Sequence, residues 1–140
     1  MDTLEEQLAQ LLPQSLDDII RINRDKVQLY FSIDDEIDVL RRPLLDGQIK
    51  AQVSDWAFIT LHFSESQESL TYLVGYNQTA HSSWMTSFIT GIGHGMVATK
   101  SGSIYELVGA STLNVDLVHI CATLHKWGVG QSLGVPHIFY

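Results

Sequence analysis

Alternation of hydrophobic and polar positions dominates the middle of the chain and predicts a β-sheet. The pattern starts after Asp46-Gly47, a turn signal, and continues to about Val108. Ser101-Gly102 is a strong signal for a tight hairpin near its end. We therefore predict a meander of five or six antiparallel strands over residues 47–109, folded into a strongly curved sheet or half-open barrel. The segments that suggest strands are 49–53, 56–63, 70–76, 84–92, 96–100 and 104–108.

The N-terminal section, residues 1–46, is mainly helical by pattern. Thr3 and Glu6 have capping-box spacing ahead of a leucine-rich face, and Pro13 ends that helix. Ser15 and Asp18 allow a second short helix. Acidic residues 34–36 after Ser32 favour a third. Between them, 27–33 alternate as a strand would, although a helix through Ile20, Val27, Tyr30 and Phe31 fits as well.

The C-terminal section predicts one amphipathic helix over residues 114–127. Asn114 is the expected cap and Gly128 the expected stop. One face of that helix is an apolar stripe. The tail, 128–140, ends in three apolar residues, so we expect it to dock on the sheet or on a second subunit. The chain is thus predicted to be a single α+β domain over 1–140. The stripe consists of Leu117, Ile120, Cys121, Leu124 and Trp127.

Charge is divided unevenly along the chain. Residues 1–46 contain 11 of the 16 acidic side chains, and residues 47–140 contain only eight charged side chains. Soluble domains average about 25% charged residues, so the β section is poor in charge. This distribution suggests that the acidic N-terminal section covers a β section with few charges.

Composition narrows the classes of function and compartment. A net charge of −8 argues against nucleic acid or an anionic membrane as the partner, since both are bound through clusters of Lys and Arg. Cys121 is the single cysteine, the start of the chain is acidic, and the uncharged run 69–99 mixes in many polar residues. We therefore expect a cytoplasmic protein with no membrane span.

The glycine-rich segment Gly91-Ile92-Gly93-His94-Gly95 resembles a phosphate-binding loop only superficially. His94 stands where such a loop needs its first glycine, Thr99-Lys100-Ser101 stands where Gly-Lys-Ser belongs, and a strand follows instead of a helix. A tight turn between strands, with glycines supplying positive φ, is the better interpretation.

Histidine and cysteine chemistry is the second candidate. Cys121 and His125 lie four residues apart on one helical face, and His119 is close to them in sequence. A metal site would need more ligands from His94 or His137. Because Cys121 lies within the apolar stripe, we expect a buried, unreactive thiol and no metal. The sequence leaves any role of the histidines open.

No cluster of carboxylates in apolar surroundings points to acid–base catalysis. Most acids have the spacing of solvated helix faces. The aromatic residues of the β section fit protein contacts better than nucleobase stacking, which needs a basic groove. The expected protein-binding residues are therefore the acids Asp34, Asp35, Glu36 and Asp38 together with the rings of Tyr72, Tyr76 and Trp84.

These observations predict a small acidic protein without catalytic residues or cofactors. We expect it to bind and inhibit or regulate another protein, as immunity-type proteins do, with a basic protein as partner. One alternative is a small enzyme or ligand-binding barrel whose pocket is lined by Trp84, Tyr105 and the histidines. Another is a structural subunit of a homo-oligomer, for instance a homodimer.

Overall fold

The computed structural model describes Leu4 and residues 12–44 and 47–137. It consists of six strands, two α-helices and a short 3₁₀ helix, Leu16–Asp18, which confirms the predicted α+β class. In chain order the named elements are β1 (Val27–Phe31), α1 (Asp34–Asp38), β2 (Ile49–Phe63), β3 (Glu68–Asn77), β4 (Ser82–Gly93), β5 (Met96–Thr99), β6 (Ile104–Leu107) and α2 (Leu117–Lys126).

The six strands form one sheet in sequence order, with consecutive strands antiparallel. A further, parallel pairing between the first half of β2 and β6 brings β2 through β6 into a ring-like arrangement. β1 stands outside the ring, on the second half of β2. The sheet is therefore more than an antiparallel meander, and the segments 49–53 and 56–63 are one continuous strand.

A β-bulge divides β2 and decides which side chains face which core. Val74 and Tyr76 of β3 pair with Ala57 and Ser54, so β2 contains one residue more than its partner at this point. Asp55 lies in the bulge with a φ of +47°. The extra residue reverses the alternation: Val53 faces the interior of the ring, whereas Ala57 faces the opposite side of the sheet.

Each face of the sheet has its own hydrophobic core. One cluster lies in the ring interior, and Ile37 of α1 and Leu40, which follows α1, pack against it. The outer face is covered by α2, the 3₁₀ helix and the C-terminal segment. The buried members of the ring cluster are Ala51, Val53, Leu73, Ile89, Ile92, Val97 and Tyr105; the outer cluster includes Ile19, Ile59, Val74, Ile120, Cys121 and Leu124.

The N-terminal section is less helical than predicted over residues 12–44. Val27–Phe31 form a strand, which settles the ambiguity in that segment, because their alternating side chains reach the outer core when β1 pairs with β2. The second predicted helix is only a 3₁₀ turn, and the third is confirmed as α1. The first helix, predicted after Thr3, lies largely outside the described residues, as does Asp46.

The C-terminal helix begins at Leu117, three residues later than expected. Its cap is Asp116, whose carboxylate accepts the backbone N–H of His119 at 3.0 Å, and not Asn114. Gly128 follows the helix with a φ of +83°, as predicted for the stop. In the tail, Leu133 and Val135 are buried in the outer core. Residues 138–140, on which the prediction of docking was based, lie outside the described range.

The tightest turn of the sheet is His94-Gly95 and not Ser101-Gly102. Gly93 pairs with Met96, so two residues connect β4 to β5, both with positive φ. The turn at Gly102 is longer: β5 ends at Thr99, whose N–H donates to Ser103 O. Gly102 does have the expected positive φ, +87°.

Candidate protein-binding site

The acidic helix α1 is attached to the sheet through Glu36. One carboxylate oxygen of Glu36 accepts a hydrogen bond from the Tyr30 hydroxyl at 2.7 Å. The other accepts from Thr60 Oγ1 at 3.0 Å and from the backbone N–H of Ile33 at 3.1 Å. Glu36 therefore differs from its acidic neighbours, because its carboxylate is committed to holding α1 against β1 and β2.

The other acids of α1 face solvent. Asp34, Asp35 and Asp38 are exposed, and two apolar side chains beside them are exposed as well. Ile33 is 55% and Val39 is 82% exposed. We call these five residues the α1 surface. In this surface, two exposed apolar side chains are bordered by three exposed carboxylates.

The negative charge of this surface is only partly neutralised. Arg41 Nε lies 3.0 Å from Asp38 Oδ1 in an exposed ion pair. Exposed ion pairs contribute little to the free energy of folding. The Arg42 side chain is directed elsewhere, donating from Nε to the backbone oxygen of Thr90 at 3.1 Å. Within residues 12–44 and 47–137, neither Asp34 nor Asp35 has an ion-pair partner within 4.0 Å.

The predicted aromatic residues are not assembled with these acids. Tyr72 is buried in the outer core, where its ring lies 5.2 Å from that of Trp127. Tyr76 follows Tyr72 and Val74 by alternation, so it lies on the same outer face, and it is exposed. Glu36 instead contacts Thr60, on the ring-side face. The acids and the two tyrosines thus lie on opposite faces of the sheet.

Trp84 is fixed from the ring side. Its indole Nε1–H donates to the Tyr105 hydroxyl at 3.2 Å, and the side chain packs against the ring cluster. Tyr105 is a buried member of the ring cluster, and Trp84 packs against the same cluster.

Among the described histidines, only His119 lines the same depressions as Trp84. The two residues share two adjacent depressions of about 160 and 240 Å³ between β4 and α2. Burial lowers the pKa of His119, partly opposed by the nearby Asp116 carboxylate. The other histidines are dispersed: His62 bonds Ser69, His81 and His94 lie in turns with positive φ, and His125 stacks on His137 at 4.7 Å.

The hydrogen bonds of Glu36 belong to a polar cluster that includes Tyr30, Thr60 and Ser32. Burial and the hydrogen bond to Glu36 raise the pKa of Tyr30 to about 12, so its phenol remains a hydrogen-bond donor at neutral pH. Thr60 bonds Ser32 as well, with 2.8 Å between the hydroxyl oxygens. With its oxygens occupied by donors, the Glu36 carboxylate serves as an anchor.

Cys121 is fully buried in the outer core, as predicted. Burial raises the pKa of its thiol to about 11, so the reactive thiolate is scarce at neutral pH. No group of three or more His, Cys, Asp or Glu side chains within the described ranges is placed to hold a metal ion.

The glycine-rich segment has a structural role different from the expected one. Gly95 does supply a turn, but Gly91 and Gly93 lie within β4, where residues 40–42 run alongside it. A Cβ on Gly91 would overlap the Arg42 side chain, and one on Gly93 would overlap the Arg42 backbone oxygen. These two glycines allow close chain approach.

Sequence reasoning missed the apolar members of the α1 surface. Helical spacing would put Ile33 on the same side as Ile37 and Leu40, but only the latter two pack against the ring cluster. Ile33 precedes the helix with an extended φ of −86° and ψ of 161°, so helical spacing does not apply to it. The sequence did contain a signal for this, because Ser32 already indicated where the helix begins.

No helix among the described residues has both the length and the apolar character needed to cross a membrane. Comparison with protein-family models, with curated proteins and with solved structures gives no match to this chain.

Proposed function

We propose that this chain is a non-enzymatic, cytoplasmic protein that binds a basic protein partner through the α1 surface and inhibits or regulates it, in the manner of an immunity protein. The observation that carries the proposal is the exposure of Val39 and Ile33 beside the carboxylates of Asp34, Asp35 and Asp38.

Exposed apolar side chains on a folded domain contribute binding energy when a partner covers them. Val39 and Ile33 are separated by one short helix, so one partner surface can contact both. The surrounding carboxylates favour a cationic partner, because unlike charges steer encounter and like charges penalise wrong partners.

The attachment of α1 supports the same function. Glu36 fixes the helix to β1 and β2 through Tyr30 and Thr60, and residues 40–42 fix its C-terminal side to β4. A binding surface that is held in place before contact loses less conformational entropy on association.

Site-specific photocrosslinking in the native host tests the proposal. A photoreactive amino acid at Val39 should crosslink a distinct protein with a basic isoelectric point. The same residue at Leu113, which is 78% exposed but far from α1 in sequence, is the matched control. The crosslinked protein should then bind the purified chain, and replacing Asp34, Asp35 and Asp38 with Asn should weaken that binding. An acidic partner, or equal crosslinking from Leu113, would refute the assignment.

A further inference from the structure

We infer that two copies of this chain pair through the open edge of β1, in antiparallel orientation, and form a symmetric homodimer. This inference goes beyond the partner proposed above, since it concerns β1 and requires no second protein.

Within the described residues, β1 has a neighbouring strand on one side only, and the 3₁₀ helix also contacts it. β1 pairs with β2 over its full length, and no other strand adjoins it. Two backbone hydrogen bonds at the ends of β1 show which of its residues bond to β2. Ser64 N–H donates to Lys26 O, and Ser32 N–H donates to Phe58 O. Since bonding alternates along an antiparallel strand, the N–H groups of Leu29 and Phe31 point away from β2, towards the open edge.

The composition of β1 favours strand addition. Proteins protect open edges with charges, proline or bulges, whereas Val27–Phe31 contains only Val, Gln, Leu, Tyr and Phe. A depression of about 310 Å³ runs beside this edge, lined by residues of β1 and by Asp17, Ile20 and Arg24.

Pairing of β1 with its own copy satisfies the outward backbone N–H groups of Leu29 and Phe31 in one register. With Leu29 opposite Leu29 of the second copy, these two residues exchange their N–H and C=O groups across the two-fold axis. Phe31 N–H then meets Val27 C=O of the other copy. The Val27 N–H is not needed, because it already donates to Asn23 O at 3.0 Å.

The charges at the two ends of β1 complement each other in this arrangement. Arg24 and Lys26 precede the strand, and Asp34 and Asp35 follow it; all four are exposed. Antiparallel pairing with Leu29 at the centre brings the end that carries Arg24 and Lys26 in one copy next to the end that carries Asp34 and Asp35 in the other. Asp25 reduces but does not cancel the positive charge at the first end. A parallel arrangement would bring like ends together, so the charges select the antiparallel one.

A charge swap tests the interface with the full chain and no partner. Light scattering should give twice the chain mass of 15.7 kDa at high concentration. Arg24→Glu and Asp34→Arg should each raise the dimer dissociation constant roughly tenfold, since each change affects two symmetry-related contacts. The two changes together in one chain should restore it. Lys50→Glu reverses an exposed charge on β2 and should not change the dimer dissociation constant comparably.

Hydrogen exchange measures directly whether the outward amides of β1 are hydrogen-bonded. The amides of Leu29 and Phe31 should be protected at high protein concentration and lose that protection on dilution. Protection that does not depend on concentration would mean that another segment of the same chain covers β1 and would overturn the inference. A monomer at millimolar concentration, or a dimer that the double swap does not restore, would overturn it too.

Discussion

The backbone N–H of Arg42 donates to the carbonyl oxygen of Ile92 at 3.0 Å, and this bond holds the segment after α1 alongside the end of β4. Ile92 N–H in turn donates to Leu40 O at 2.9 Å. The contact places Arg42 directly against Gly91 and Gly93, which explains why this part of β4 is built from glycine.

Substitutions at Gly91 and Gly93 should respond differently to removal of the Arg42 side chain. Gly93→Ala should destabilise the fold by about 1–3 kcal/mol, because the obstacle is the Arg42 backbone oxygen, and Arg42→Ala should not relieve it. Gly91→Ala meets only the flexible Arg42 side chain, so its smaller cost should disappear in the double variant with Arg42→Ala. Equilibrium unfolding in urea gives these values. Equal rescue of both glycine variants would contradict the assigned contacts.

Gly102→Val should lower the free energy of unfolding by about 1–3 kcal/mol, because its φ of +87° is poorly tolerated by a β-branched residue. No atom lies within 4 Å of a Cβ built there, so the cost is conformational and not steric. Gly102→Asn is the control: asparagine adopts positive φ more readily, and it should cost much less. Thermal unfolding measures both, and an unchanged midpoint for Gly102→Val would count against the turn geometry.

Cys121 should react with thiol reagents far more slowly in the native protein than in denaturant, because burial raises its thiol pKa to about 11. Cys121→Ala should cost about 1–2 kcal/mol and leave partner binding intact, whereas Leu124→Ala in the same core should cost about 2–5 kcal/mol. Native labelling at the denatured rate would show that the thiol is accessible.

Stability should fall at alkaline pH through Tyr30. Its pKa is raised from 10.0 to about 12 by burial and the hydrogen bond to Glu36, so between these values the unfolded chain loses the phenolic proton first. The stabilisation is complete below pH 10 and is lost as pH rises through 12. Tyr30→Phe should cost about 1–2 kcal/mol at neutral pH and flatten this alkaline decline.

The exposed Tyr76 is the matched control for Tyr30. Because the Tyr76 side chain is exposed, Tyr76→Phe should not change the free energy of unfolding at neutral pH. Urea unfolding at a series of pH values, with all variants in the Cys121→Ala background, separates the phenol from the thiol. An identical pH profile for Tyr30→Phe and its parent would remove Tyr30 from this role.

Replacement of Asp34, Asp35 and Asp38 with Asn should slow association with the basic partner by about three- to tenfold at low salt and little at high salt. The Debye length of about 8 Å at physiological salt limits the reach of these charges. Val39→Ala should instead speed dissociation, since it removes apolar contact. Stopped-flow or surface-based kinetics distinguishes the two effects. Association insensitive to salt and to the substitutions would leave these acids as a solubility device.

Local patterns in the sequence determined the elements of this protein. Alternation defined the strand segments, the apolar stripe defined α2, and the acidic turn after Ser32 defined α1, because each depends on neighbours within a few residues. The burial of Cys121 followed from its place in the stripe. The charge-rich nature of residues 34–38 was also evident from sequence.

Only the tertiary structure decided how these elements are connected and which faces they present. The bulge at Asp55 reverses the alternation of β2, the parallel pairing of Ile49 with Ile104 closes the ring, and residues 40–42 run alongside the end of β4. Each depends on contacts between residues distant in sequence, for which local periodicity carries no signal. The same applies to the site: sequence grouped Glu36 with its acidic neighbours, but the hydroxyl of Thr60, 24 residues away, draws its carboxylate to the sheet and leaves the others in solvent.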